Sequence, residues 1–255
     1  MLAPERHRQI LCLLGTHGSV RTTEVARALS VTEETVRRDF EKLEAEGQIS
    51  RTHGGAVRGE AGRRDLPFTS REAMNVEAKR AIARQALRHI GVGDTIVLDA
   101  SSTALELARQ LPDRETTVLT NALKVAIELA DRQSVQVVMV GGVVSQRSLS
   151  CTGPLADHAI ECYNVGKAFF SCRGVDAERG LSESNDEQAR LKRRFLALAD
   201  RTFLLADDTK LSLRSSFFFA QLSDVDLLIT NQDPPSDFSS ALASRGVDIQ
   251  VASHE

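Results

Sequence analysis

Two constellations of residues in this 255-residue chain are capable of chemistry. The first is a series of short polar stretches, each placed directly after a run of aliphatic residues. Asp99-Ala100-Ser101-Ser102-Thr103 follows TIVL, Thr120-Asn121 follows TVL, and Gly141-Gly142 follows VQVVMV. Ser171-Cys172-Arg173-Gly174-Val175-Asp176 follows KAFF, and Asp207-Asp208-Thr209-Lys210 follows TFLLA. Hydroxyls and backbone N–H groups at a helix start form an anion site whose dipole favours a phosphate. A lysine just past a strand end, beside two acids, can meet a phosphate or a sugar hydroxyl. Plainer readings stand beside these. Ser101 or Ser102 could simply cap a helix, Asn121 likewise, Gly141-Gly142 could be turn chemistry alone, and Lys210 could belong to an ordinary surface ion pair. Five strand ends that all offer small, hydroxylated or charged groups favour a ligand site. Its candidates are Asp99, Ser101, Ser102, Thr103, Asn121, Gly141, Gly142, Arg173, Asp176, Asp207 and Lys210.

The second constellation lies in the first sixty residues, where TEETVRRDFEKLEAE (32–46) carries adjacent arginines. Alone, an Arg-Arg pair on a helix is a solvated face. Here it has a context. Residues 4–15 read as a helix with Ile10, Leu11 and Leu14 on one face, stopped by Gly15. Thr22 can cap a second helix over 23–29, and Thr32 a third over 32–46, closed by Gly47. Val36, Phe40 and Leu43 fall on one face of the third helix, and Arg38 points nearly opposite. Two short helices joined by a tight break, the second rich in arginine, form a helix-turn-helix. GQISRTHGGAV (47–57) then reads as a strand, a Gly-Gly turn and a strand, which makes a wing. The DNA-facing candidates are Thr22, Thr32, Glu33, Thr35, Arg37, Arg38 and Lys42, with Arg51 and His53 of the wing against the phosphate backbone.

The positioning elements follow from the pattern. RGEAGRRDLPFTSRE is polar and interrupted by Pro67, so 58–75 is expected to be a linker between a DNA-binding domain at 1–57 and a larger domain at 76–255. After a helix at 76–90, seven strands are expected at 95–99, 117–120, 135–140, 167–171, 202–207, 225–230 and 248–252. Helices are expected at 103–111, 122–130, 154–162, 186–199 and 236–244. Uninterrupted apolar strands alternating with helices imply an α/β class with a mostly parallel sheet covered on both faces. In such sheets ligands bind beyond the carboxyl ends of the strands.

Composition sets the remaining bounds. Hydrophobic residues make up 42% of the chain, aromatics only 4%, and Trp is absent, which suits an aliphatic α/β core. Residues 1–71 hold 12 basic and 10 acidic residues and the remainder 20 and 25, so the basic excess sits with the helix-turn-helix. Four cysteines without a Cys-x-x-Cys pair suggest reduced thiols in the cytoplasm. The histidines do not cluster with them, so neither a metal nor any other cofactor is expected. No apolar run approaches the ~18 residues of a membrane span, and no secretory signal opens the chain. A dinucleotide site is disfavoured, because no Gly-x-Gly-x-x-Gly follows a strand.

VTEETVRRDFEKLEAEG followed by ISRTHGGAV resembles the N-terminal signature of the DeoR family of bacterial sugar-catabolism regulators. DLPFTSRE, LDASSTA, TNALKVA, VGGVV, FSCRGVD, LADDTK and SNDEQARLKRRF are similar to successive segments of that family. The likeness spans about residues 4–231. Ser101 stands where the family more often has glycine, and Asn185, Glu187 and Lys192 fall at its recurring polar positions. The resemblance implies an effector domain with the fold of ribose-phosphate isomerase, binding a phosphorylated sugar. It also implies a homo-oligomer, dimer or tetramer, on double-stranded operator DNA. Repression relieved by a catabolic intermediate is the implied output. LDASST and FSCRGVD look most like the fucose-operon branch, which implies a deoxyhexose phosphate and makes activation the alternative. Two rivals remain. A sugar-phosphate isomerase would have no use for a recognition helix. A domain that only oligomerises would have no use for the phosphate-type loop.

Overall fold

The computed structural model describes residues 3–17, 19–45, 49–52, 54–58 and 66–253. They fall into two compact units, Met1–Asp65 and Leu66–Glu255.

The first unit runs α1 (Ala3–His17), β1 (Ser19–Arg21), α2 (Thr22–Ala28), α3 (Glu33–Ala45), β2 (Ile49–Thr52) and β3 (Gly55–Arg58). Ile10 and Leu14 of α1 meet Val25 of α2 and Val36, Phe40 and Leu43 of α3 in one buried cluster. The apolar positions of α3 at i, i+4 and i+7 are what turn its charged face outward. β3 pairs antiparallel with both β2 and β1. β1 was not expected from the sequence, because three residues are too few to display a period of two. Gly55 permits the β1–β3 pairing, since a Cβ there would lie 2.2 Å from the Val20 carbonyl oxygen.

The second unit opens with α4 (Phe68–Ala73) and α5 (Val76–Leu87). It continues with β4 (Thr95–Leu98), α6 (Ser102–Gln110), β5 (Thr116–Thr120), α7 (Leu123–Leu129), β6 (Val135–Met139), β7 (Val143–Ser145) and β8 (Ser150–Thr152). α8 (Pro154–Ile160), β9 (Val165–Phe170), β10 (Gly174–Asp176), β11 (Gly180–Glu183), α9 (Asp186–Leu198) and β12 (Ala199–Leu205) follow. β13 (Phe217–Ala220), β14 (Leu227–Thr230), α10 (Ser236–Ala243) and β15 (Asp248–Val251) complete it.

Seven strands form one fully parallel sheet in the order β15-β14-β12-β9-β4-β5-β6. They are the seven read from the apolar runs. Alternate residues of one strand go to opposite faces. Ile96, Leu98, Phe169, Phe203 and Leu205 pack with α5, α6 and α7. On the other face Val97, Leu119 and Ala168 meet α8 and α9, and Phe170, Leu204 and Leu228 meet α9 and α10. Burial on both faces is why the strands read as unbroken apolar runs. The five short strands form a β7–β8 hairpin and a β10-β11-β13 sheet.

The expected linker at 58–75 needs correction at its far end. Residues 66–75 belong to the second unit, and residues 59–65 lie outside the described residues. Phe68 starts α4, is 2% exposed and joins the core cluster of α5 and α6. A single aromatic anchors this otherwise polar stretch, and Pro67 with φ −52° suits the residue before a helix.

Candidate functional site

In the first unit α3 presents Glu33, Glu34, Arg37, Arg38, Glu41 and Lys42 to solvent. Thr32 caps the helix, its Oγ1 accepting from the Thr35 N–H at 3.2 Å. The arginines are already paired. Arg37 lies 3.2 Å from Glu33 and 3.8 Å from Glu34, and Arg38 lies 3.3 Å from Glu34. From the wing, the Arg51 guanidinium reaches Glu41 at 3.0 Å, and its backbone N–H donates to Glu44 at 2.9 Å. Thr32, Glu33, Thr35, Arg37, Arg38, Lys42 and Arg51 therefore belong to α3, its cap and the adjoining wing strand. Thr22 does not join them. It is 5% exposed, and its N–H donates to the Gly54 carbonyl at 2.9 Å. Nor does Thr22 cap α2, which it begins. The Glu24 carboxylate instead accepts from the Arg21 N–H at 3.4 Å. His53 lies outside the described residues.

Beneath this surface Asp39 is 3% exposed. Its carboxylate accepts from Arg6 Nε at 2.5 Å and Nη2 at 2.8 Å, and lies 2.9 Å from His7 Nε2. Burial pushes this carboxyl up, but the hydrogen bonds from Arg6 and His7 outweigh it and hold it below the usual carboxylate range.

In the second unit the chain lays down β4, then β5 and β6 to one side, then β9 against the other side of β4. The carboxyl ends of β4 and β9 flank this change of direction, where α/β sheets open a crevice. Asp99 follows β4. Its Oδ1 accepts from Ser101 Oγ at 2.5 Å, and its Oδ2 accepts from the Ser171 N–H at 3.1 Å and lies 3.0 Å from Lys192 Nζ. Ser101 caps α6, accepting from the Ala104 N–H at 3.0 Å. Lys192 is 5% exposed, donates to the Ser171 carbonyl at 2.6 Å and is also bonded to Glu183. Burial alone would lower its pKa, but Glu183 and Asp99 raise it above the ordinary lysine value. Lys210 Nζ donates to Ser171 Oγ at 2.7 Å and stands 3.9 Å from Asp207. Ser171 Oγ in turn donates to the Leu205 carbonyl at 2.6 Å. One bonded cluster thus gathers Asp99, Ser101, Ser171, Glu183, Lys192, Asp207 and Lys210.

The remaining candidates have other contacts. Ser102 and Thr103 are buried in the first turn of α6, and Thr103 Oγ1 has no hydrogen-bond partner among the described residues. Asn121 does not cap α7. Its Nδ2 donates to the Cys151 carbonyl at 3.0 Å, and its buried Oδ1 is likewise without a partner among the described residues. Gly142, at φ +130°, serves the chain itself, because a Cβ there would lie 2.5 Å from the Thr152 carbonyl oxygen. Gly141 has open space where a Cβ would stand. The Arg173 N–H donates to the Ser182 carbonyl at 2.9 Å, within the small sheet. Asp176 is taken up structurally. It accepts from the Glu178 and Arg179 N–H groups at 3.1 and 2.8 Å and from Arg214 Nε at 2.5 Å.

Ser171, Glu183 and Lys192 belong to this cluster but were missing from the sequence-derived candidates, although the family resemblance had marked Lys192 as a recurring polar position. For Lys192 a signal existed, since Gln188, Leu191, Lys192 and Phe195 share the buried face of α9. A lysine on an apolar stripe marks a charge that needs buried partners. Among the described residues no group of three or more His, Cys, Asp or Glu could hold a metal ion, and no helix is long and apolar enough to cross a membrane.

Comparisons with known proteins agree with both halves. The profile of the DeoR-like helix-turn-helix domain matches residues 6–61, and that of the DeoR C terminal sensor domain matches residues 74–232. The chain is 45% identical over 238 residues to the uncharacterized HTH-type transcriptional regulator YulB of Bacillus subtilis, covering 92% of each. It is 33% identical to the L-fucose operon activator of Haemophilus influenzae, covering 91% of this chain and 93% of the relative. Among solved structures, a ribose 5-phosphate isomerase from Methanocaldococcus jannaschii is similar at a TM-score of 0.41 and 17% identity, over 54% of this chain and 55% of that one. A winged helix-turn-helix followed by a parallel α/β sensor domain, matched along nearly its whole length by named transcription regulators, identifies this chain as a DNA-binding regulator, not an enzyme, and a member of the DeoR family.

Proposed function

We propose that the second unit binds a phosphorylated sugar in the β4–β9 crevice and that occupancy changes the affinity of the first unit for an operator. The carrying observation is the bonded cluster at the switch of strand order, together with the buried Thr103 hydroxyl of the adjoining helix start, which has no partner among the described residues. The positive end of α6 at Ser101–Thr103 and the Lys210 ammonium are assigned to the phosphate. Asp99, Ser171 and Asn121 are assigned to the sugar hydroxyls. Lys192 fixes Asp99, and Lys210 keeps a side-chain exposure of 16%.

In the first unit Arg37, Arg38, Lys42 and Arg51 meet phosphates or base edges, with Thr32, Glu33 and Thr35 at the groove. Paired copies of the chain, as a dimer or tetramer, present two recognition helices to symmetric half-sites. Repression released by the phosphosugar is the output in this reading. The resemblance of LDASST and FSCRGVD to the fucose-operon branch, and a relative named as an L-fucose operon activator, support a deoxyhexose phosphate as effector.

The test is fluorescence anisotropy of operator DNA at fixed salt, with and without ribose 5-phosphate, glucose 6-phosphate, fructose 1-phosphate and a 6-deoxyhexulose 1-phosphate. A shift by one of these, absent with the unphosphorylated sugar, is the expected result. Specific DNA binding that none of them moves would remove the phosphosugar from the reading and leave the DNA-binding half standing.

A further inference from the structure

Leu66 to Asn75 is the stretch through which the second unit continues the chain from the first. It is bonded along its length. The Phe68 N–H donates to the Arg147 carbonyl at 2.8 Å, and Arg71 Nε donates to the Leu66 carbonyl at 3.3 Å. Arg109 Nη2 meets Glu72 at 2.5 Å. At its far end the buried Lys79 ammonium donates to two carbonyls, those of Arg71 and Met74.

Asn75 does something different. Its Nδ2 donates to Asp207 Oδ1 and to Thr209 Oγ1, each at 3.3 Å and more than 130 residues away in sequence. Its backbone is left-handed, at φ 49° and ψ 39°. A non-glycine residue held there marks a place that the surroundings over-determine. Asp207 Oδ1 also accepts from the Thr209 N–H and hydroxyl, which closes the tight turn Asp208–Lys210. Lys210, the cation facing Ser171, is the last residue of that turn. A ligand that engages Lys210 therefore acts on a turn bonded directly to the head of the second unit. Lys79 faces the same turn. Its pKa is lowered to about 8, first by burial and then by Lys210, with Asp207 opposing.

We propose that Asn75 is the coupling residue of the sensor, passing the state of the Asp207–Lys210 turn to the Leu66–Asn75 stretch and hence along the chain to the DNA-binding unit. This rests on the effector reading above. It assigns Asn75 to transmission and not to binding. Asn75→Gly removes the side-chain amide while keeping the positive φ accessible.

The variant is compared with the full-length wild type by calorimetric titration of the four sugar phosphates and by operator anisotropy with and without them. Coupling between two sites typically spans about 5- to 150-fold in affinity. The expected result is sugar-phosphate and operator affinities each within about twofold of wild type, an unchanged melting temperature, and a ligand-induced change in operator affinity that falls toward one. Wild-type coupling in Asn75→Gly would overturn the relay alone. A loss of sugar-phosphate binding beyond about tenfold would make Asn75 a binding residue and overturn it too. No binding of any of the four to the wild type would fell the effector reading and the relay together.

Discussion

The two units handle charge in opposite ways. Arg37 and Arg38 of α3 and Arg51 of the wing lie in solvent and pair with glutamates of that helix, and the Arg38 side chain is 74% exposed. In the sensor, Lys192 lies between Asp99 and Glu183 with side-chain exposures of 6%, 1% and 13%. Exposed pairs are weak and screened by salt, so under the proposed function a DNA phosphate takes the place of a glutamate with little loss. A buried trio is different, because removing one member strands the others in a low-dielectric interior. The first surface is built to exchange partners. The second is built to hold atoms still.

The contrast can be broken most severely at Lys192. Lys192→Met leaves Asp99 and Glu183 buried without their cation, and about 3–5 kcal/mol of sensor stability should be lost. Chemical denaturation followed by a probe in each unit should show the sensor transition moving and that of the first unit staying put.

Asp39 sharpens the comparison, since it is a buried charge inside the exposed-charge unit. Asp39→Asn should cost about 2–3 kcal/mol in that unit, the scale of hydrogen bonds to a charged group. The folded carboxyl titrates below its unfolded value of about 3.9, so its stabilisation is complete above that pH and is lost as pH falls through the folded value. Thermal melts from pH 7 to pH 3 should show a steeper acid-side loss in the wild type than in the variant.

On the DNA side Arg38→Ala should weaken operator binding by about 1–3 kcal/mol if Arg38 reads a base. An unchanged operator affinity would remove it from the interface. The smallest effect belongs to Glu34→Gln, which frees Arg37 and Arg38 from their shared partner. Non-specific DNA should bind about twofold tighter with a steeper salt dependence, eroding specificity without touching the fold.

The sheet was legible in the sequence because all seven strands are buried on both faces, so each shows as a continuous apolar run. The short strands β1, β7, β8 and β10 have three residues each, too few for any period to register. α4 was hidden because only Phe68 anchors it. The candidate residues at strand ends were legible because they follow directly on apolar runs, where sheets of this kind open toward ligands. Glu183 was not, because it reaches the cluster only through Lys192 of the next helix, and Asn75 was not, because it meets Asp207 across 132 residues of sequence. Thr22, Gly142 and Asp176 carried the right chemistry but are consumed by local geometry, a distinction that residue type alone does not express.

The order of the parallel sheet has a consequence in time. β4 lies between β5 and β9, and Ile96 pairs with Lys167, about 70 residues further along the chain. At roughly 5–20 residues per second of synthesis, Lys210 leaves the ribosome roughly 7–29 s after Asp65 completes the first unit. Each newly made chain thus passes through an interval in which its winged helix can fold while the effector crevice has not yet been translated. Under the proposed function, the nascent regulator is blind to its metabolite during that interval.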